Sequence, residues 1–293
     1  MSNNNILNWI HTKRERRNHF KRMLTNITKE QYGLEIGPSL RPCAPKSKGY
    51  HVETVDHLSK QELIEKYSAM GLDTAQIEEV DYVWDGGSYS ELTGKKDSYD
   101  YIIASHLIEH IPDIVSFLND CSHMLKMDGI LVLAVPDKRY SLDHFRMVTT
   151  TGKAINDYLA KETCGSMGAL TDYWNHVVSR KGRTSWSKLR GIVTGRSYHF
   201  IHDEAYNLKG YQESVGNPCF RDFHQYVFTP ASFELLIYEL WEYRLIHLKI
   251  DSLRRFGGGE FIVEMKKTNT PPVMSEKERM ALLRKVSREN KIT

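Results

Sequence analysis

Residues 99–135 read YDYIIASHLIEHIPDIVSFLNDCSHMLKMDGILVLAV, and the repeat of apolar positions along this stretch decides the fold. Tyr99 to Ser105 and Gly129 to Val135 are nearly continuous apolar runs, the pattern of strands covered on both faces. Between them, Asp113 to Lys126 carries Ile114, Phe117, Leu118, Cys121 and Leu125 at helical spacing, with Pro112 suited to the first turn. Strand, helix and strand in succession point to a parallel sheet with helices on its faces, and these two strands belong at its centre.

Reading outward from this unit extends the pattern in both directions. Gly33 to Ile36, His51 to Asp56 and Val80 to Trp84 are further short strands, so residues 33–137 alternate strand and helix throughout. Downstream, Ala231 to Trp241 forms an amphipathic helix. Strand-like Tyr243 to Ile250 and Glu260 to Met265 then flank Arg254-Arg255-Phe256-Gly257-Gly258-Gly259, and a helix and hairpin here would complete the sheet. The expected fold is therefore α/β: a Rossmann-like sheet of seven strands with an insertion between the fifth strand and the last helix.

The insertion, 138–228, is polar, rich in His, Tyr and Trp, and weakly periodic. It reads either as a cap over the active site or as an irregular packing extension, since long loops in compact domains are usually functional or disordered. The chain divides into a basic helical extension (1–30), a cofactor-binding half (31–137), the insertion (138–228), a closing helix and hairpin (229–267) and a charged tail (268–293) expected to sit loosely. No internal repeat is present.

Composition excludes several classes. At 293 residues, 40% hydrophobic, the chain can bury a full core. Forty basic against 37 acidic residues leave a formal charge of +3, so the overall field is not that of a nucleic-acid binder. The one local basic segment, Lys13 to Arg22 (KRERRNHFKR), has Trp9, Ile10, Phe20 and Met23 nearby and suggests an amphipathic helix with a solvated basic face. No apolar run is long enough to span a membrane, and MSNNNILNWI lacks the core of a secretory signal, so a cytoplasmic location is expected. Cys43, Cys121, Cys164 and Cys219 form no C-x-x-C pair, which argues against a disulfide framework or a zinc ribbon.

Gly33-Leu34-Glu35-Ile36-Gly37-Pro38-Ser39 closes the first strand with a glycine-bearing turn, where backbone can approach a ligand. Asp56 ends the second strand about 20 residues on, where a carboxylate accepts hydrogen bonds from a ribose diol. Asp85 ends the third strand, within Asp81 to Gly87 (DYVWDGG). A turn glycine and two carboxylates on three consecutive strand ends are hard to explain by packing alone.

On these residues the sequence resembles the class I S-adenosylmethionine-dependent methyltransferases. Glu35-Ile36-Gly37 looks like their first motif, Asp56 their ribose carboxylate, Asp85 their adenine-side residue, and Ser105 to Asp113 (SHLIEHIPD) the segment after their fourth strand. The resemblance implies S-adenosylmethionine as cofactor, with contacts at Glu35, Gly37, Pro38, Ser39, Asp56, Asp85, Gly86 and Ser105. Pro38-Ser39 departs from the second glycine of many members.

His106-Leu107-Ile108-Glu109-His110 also satisfies the H-x-x-E-H pattern of one class of zinc peptidases, but it follows a buried strand and meets Pro112 within two residues, which breaks a regular helix. The spacing nevertheless suits His106, Glu109 and His110 to one side of a single turn. The segment resembles metal-dependent small-RNA 2′-O-methyltransferases, whose stretch reads E-x-x-E-H. Those enzymes draw a further histidine from five residues before a Thr and nine before a Phe, the relation of His224 to Thr229 and Phe233 in Phe220 to Phe233 (FRDFHQYVFTPASF). The resemblance implies a metal set of His106, Glu109, His110 and His224, and three imidazoles with one carboxylate suit Mn, Fe, Co or Zn better than Mg or Ca. Asp222 is a candidate to orient His224. The alternative is metal-free, with Glu109-His110 capping the helix and contacting cofactor.

Asp137 and Arg139, in Pro136 to Asp143 (PDKRYSLD), follow the fifth strand at the same sheet edge and are candidates to address the acceptor; the bland alternative is a surface ion pair. The expected reaction is methyl transfer to a sugar hydroxyl. SHLIEHIPD, PDKRY and FHQYVFTP together resemble a bacterial methyltransferase family found with glycosyltransferases, which implies a glycan acceptor and glycan-assembly partners rather than nucleic acid. An RNA 2′-O-methyltransferase and a catalytically silent scaffold are the competing readings.

Overall fold

The computed structural model describes residues 13–186, 197–217 and 221–291; Trp9, Ile10, Cys219 and Phe220 lie outside them. Strands β1 (Tyr32–Ile36), β2 (His51–Asp56), β3 (Tyr82–Val83), β4 (Tyr99–Ser105) and β5 (Leu125–Pro136) run parallel. Two short strands, β6 (Val178–Arg180) and β7 (Tyr198–Phe200), pair with each other in the insertion. The hairpin of β8 (Leu248–Arg255) and β9 (Glu260–Lys267) then adds to the main sheet, with β9 antiparallel to β5. The seven-stranded order is β3-β2-β1-β4-β5-β9-β8, the expected α/β architecture with β4 and β5 at its centre.

Helices α1 (Lys13–Met23), α2 (Lys60–Ala69), α3 (Tyr89–Thr93) and α4 (Ile114–Met124) belong to the first half, α5 (Thr151–Ala160), α6 (Met167–His176) and α7 (Glu204–Ser214) to the insertion, and α8 (Pro230–Glu242) and α9 (Glu276–Glu289) to the C-terminal part. One sheet face buries Ile102, Ala104, Leu131 and Leu133 against α4 and α8 residues such as Phe117, Leu118, Phe233 and Leu240. The other buries Tyr101, Ile103, Val132 and Ala134 against Met23 and Ile27. Gly33 is required there because the Tyr101 ring lies where a Cβ would stand, 2.1 Å away.

Several boundaries shift for local reasons. β3 covers only two residues, because the Asp81 carboxylate accepts the Thr54 N–H at 2.7 Å that a longer strand would use. Pro112 precedes α4 rather than opening it: Asp113 is the N-cap and accepts from Val115 and Ser116 N–H at 3.0 and 3.1 Å. The strand expected from Tyr243 starts at Leu248, since Arg244 turns left-handed at φ 59 and Leu245 N–H closes the helix end on Leu240 O.

Two expectations for the termini are corrected. The basic face of α1 is not simply solvated: His19 and Met23 are buried, and Arg22 lies over the Phe256 ring at 3.8 Å. The charged tail is not loose. Leu282 of α9 is buried, Arg279 pairs with Glu239 and Glu242, and the Glu289 carboxylate accepts the Ala231 N–H at 2.9 Å. Among the described residues the weakly periodic insertion contains three α-helices and its own core of Leu142, Leu170, Tyr173, Trp174, Val177 and Phe223. Among the described residues no helix is long and apolar enough to cross a membrane.

Candidate active site

Strand register fixes where the chemistry gathers. Ile36 pairs with Val55 and Ala104, Ser105 with Ala134, and Pro136 with Glu260. The carboxyl ends of β1, β2, β4 and β5 therefore share one edge with the beginning of antiparallel β9. Strand order reverses between β1 and β4, and in open α/β sheets ligands bind outside the carboxyl ends at such a switch point.

Gly37 leaves β1 at φ 71, a left-handed conformation that favours glycine, and its N–H donates to Val55 O at 2.8 Å. Pro38 and Ser39 continue the turn, and Ser39 N–H donates to Asp56 Oδ2 at 2.8 Å. Asp56 is buried, and its Oδ1 accepts from the His57 backbone at 2.8 Å and lies 2.6 Å from His57 Nδ1. Gly37, Pro38, Ser39, Asp56 and Ser105 thus lie at one sheet edge. Asp85 and Gly86 form an exposed turn beyond β3, where Asp85 Oδ1 accepts the Gly87 N–H at 3.3 Å.

Glu35 is different. Its two oxygens accept the N–H groups of Cys43 and Ala44 at 2.7 and 3.0 Å, and burial raises its carboxyl pKa to about 7. This corrects its expected contact with cofactor: Glu35 holds the 43–44 backbone against the sheet.

Past β4 the chain turns on His106, at φ 51, whose N–H donates to Ala134 O at 3.0 Å. Glu109 is 1% exposed, 3.5 Å from His106 Nδ1 and 3.9 Å from His110 Nε2, and neither carboxylate oxygen has a hydrogen bond. His224 comes from across the insertion, its segment tied in by the Tyr226 N–H on Glu109 O at 3.0 Å. The His110 and His224 rings meet edge to face at 4.8 Å, and one potential ligand atom from each of Glu109, His110 and His224 lies within 4.8 Å of the others.

Supporting carboxylates flank these rings. Asp143 Oδ2 lies 2.5 Å from His224 Nδ1, while its Oδ1 accepts from Arg146, which also donates to His224 O. Asp222 stands 2.8 Å from His110 Nδ1. It therefore serves His110 and not His224, a correction to its expected role. Burial pushes the Glu109 carboxyl up, but His106, His110 and His224 outweigh it and hold it below the usual range. Burial likewise raises Asp143, and His224 with Arg146 bring it down to about 2.

His106 does not complete a single four-residue set. Its Nε2 donates to Glu260 Oε2 at 2.9 Å, and His19 Nδ1 lies 3.0 Å from both Glu260 oxygens. His19 Nε2 is 3.1 Å from Ser105 Oγ, so His19, His106 and Glu260 form a second group beside the first. The predicted quartet is split because β9 delivers a competing carboxylate at this edge. Burial pushes the His106 pKa down, but Glu109 and Glu260 carry it up to about 10.

Arg139 is bound to Asp137 through Nε and Nη2 at 2.8 and 2.5 Å and lies 3.6 Å from Glu289 of α9. This corrects its expected role toward an acceptor: the pair holds the C-terminal helix. Sequence reasoning missed His19, Asp143 and Glu260. Asp143 closed the quoted PDKRYSLD segment and Glu260 followed the triple glycine, yet neither spacing nor composition marked a partner so distant in sequence.

A protein-family model described as a methyltransferase domain matches residues 9–177. No curated protein matches the chain. Among solved structures, a SAM-dependent methyltransferase from Methanosarcina mazei is 14% identical, with 83% of this chain and 95% of that one covered at a TM-score of 0.42. A SAM-dependent methyltransferase from Aquifex aeolicus is 10% identical, with coverage of 85% and 89% and a TM-score of 0.41. The fold class rests on the strand order, not on these likenesses.

Proposed function

The chain belongs to the methyltransferase-domain family and is an S-adenosylmethionine-dependent methyltransferase; from that premise we propose that it methylates a sugar hydroxyl, in a surface glycan or its precursor, with a divalent metal held by Glu109, His110 and His224. The observation that supports the metal is the Glu109 carboxylate, buried, without a hydrogen bond, and faced by imidazoles; the sugar acceptor rests on the resemblance of SHLIEHIPD, PDKRY and FHQYVFTP to the glycan-associated family. A buried charge without such a bond is costly unless a ligand completes it.

Two imidazoles and one carboxylate fit a Mn, Fe, Co or Zn ion, and three protein ligands leave positions for two neighbouring hydroxyls. The ion would supply Lewis acidity that eases loss of the hydroxyl proton. The protein's own residues supply position. Asp143 fixes the His224 ring through Nδ1, and Asp222 stands against His110 Nδ1, the supporting arrangement that orients metal-binding histidines. The turn from Gly37 to Ser39 and Asp56 would hold the cofactor so that the sulfonium methyl lies in line with the hydroxyl oxygen. The methyl C–S bond breaks as the C–O bond forms, the hydroxyl proton passes to solvent water, and S-adenosylhomocysteine departs as the neutral thioether.

The reading toward RNA leaned on the basic segment of α1. His19 and Arg22 of that segment instead face Glu260, which weakens it. Incubating the full-length protein with methyl-labelled S-adenosylmethionine and a panel of nucleotide sugars, oligosaccharides and short RNAs tests the acceptor. Label on a sugar, lost in excess chelator and restored by one of Mn, Co, Fe or Zn, is the expected result. Full activity in chelator with no metal by elemental analysis removes the metal, and label on RNA alone removes the sugar.

A further inference from the structure

We propose that His19 is a positioning residue of the active site, reaching from α1 to fix the His106 ring through Glu260. His106 is the residue that needs fixing. It stands at φ 51 at the switch point, a left-handed conformation unfavourable for a residue with a Cβ, and strained backbone at a binding edge persists only where the surroundings over-determine it. Glu260 holds its Nε2 at 2.9 Å, which sets Nδ1 toward Glu109.

Glu260 needs a bracket in turn. His19 Nδ1 lies 3.0 Å from each of its oxygens, and the other nitrogen of His19 is 3.1 Å from Ser105 Oγ, on the residue before His106. The loop from Ser105 through His19 and Glu260 to His106 closes on itself, from three segments far apart in sequence.

Docking of α1 does not require this imidazole. Met23 and Phe20 pack into the core, Asn26 donates to Glu264 at 2.7 Å, and Arg254 donates to Arg22 O at 3.1 Å. Burying a histidine as well is unfavourable unless its polar atoms are used, and both are used toward the site. The inference takes the sheet edge as the active site of the methyltransferase but does not depend on the metal or the acceptor.

Two variants separate positioning from packing. Asn places its amide nitrogen near the position of Nδ1, so His19→Asn retains the contact to Glu260; Gln reaches toward the position of Nε2, so His19→Gln retains the contact to Ser105 and loses Glu260. Full-length protein carrying ¹⁵N-histidine is saturated with S-adenosylhomocysteine, and the His106 ring resonances are assigned through His106→Gln. The expected result is a parent-like His106 spectrum in His19→Asn and displaced ring nitrogens in His19→Gln, with unchanged S-adenosylhomocysteine affinity by calorimetry in both. A parent-like His106 spectrum in His19→Gln overturns the proposal, and so does an equal displacement in the two variants.

Discussion

Two groups of imidazoles and carboxylates meet at one sheet edge, joined by His106, and they are built in opposite ways. Glu260 sits between His19 and His106 with hydrogen-bond-range contacts to both. Glu109, three residues past His106, is surrounded by imidazoles yet makes no hydrogen bond. In the first group the carboxylate has its partners in place and spends them on the His106 ring. In the second the carboxylate's charge is balanced by imidazoles while its oxygens accept no hydrogen bond, the property that makes it the candidate to bind a ligand. Proximity of metal-ligating residue types is common to both; the hydrogen bonding of the carboxylate separates them.

That contrast is open to direct tests. Glu109→Gln removes the carboxylate, and turnover should fall about a thousandfold, the several kcal/mol a metal supplies to such a step, with bound metal lost and S-adenosylhomocysteine affinity kept. Retained metal by elemental analysis would place the ion elsewhere. Asp143→Asn leaves the ligands in place but weakens the hold on His224, so metal affinity should drop about 10–100-fold.

The same aspartate sets an acid limit. Its carboxyl is held at about 2, below its usual ~3.9. A depressed folded-state pKa contributes stability above the unfolded value, and that stability disappears as pH falls from about 4 through 2. The contribution is about 3 kcal/mol at most, from a carboxyl held at about 2 and ~1.4 kcal/mol for each tenfold change in proton affinity. Denaturant titrations should show this acid loss in the parent and a flatter profile in Asp143→Asn; parallel profiles would remove the assignment. The smallest expected effect on metal is that of Glu260→Gln, which should leave stoichiometry unchanged while freeing the His106 ring. Loss of metal there would mean that the two groups are one site.

Much of this was legible in the chain. The apolar runs of β4 and β5 announced central strands because a strand covered on both faces has no polar face to alternate. Glu109, His110 and His224 were found because a short turn and a fixed offset to Thr229 and Phe233 are local features. Asp85 and Gly86 were placed at a strand end for the same reason. The reach of α1 was not legible: KRERRNHFKR reads as a solvated helix, and nothing in it says that His19 meets Glu260, 241 residues away.

By itself, then, the sequence determined the strand order's raw material, the turn at Gly37 and the residue types of the centre, since hydrophobic period, left-handed turn residues and ligand spacing are properties of neighbouring residues. Only the tertiary structure decided which carboxylate each histidine faces. Antiparallel β9 begins where parallel β4 and β5 end, which brings Glu260 to His106, and the insertion folds back so that Asp143 takes the His224 ring and leaves Asp222 to His110. Those pairings depend on register and chain reversal between distant segments, and no local pattern encodes them.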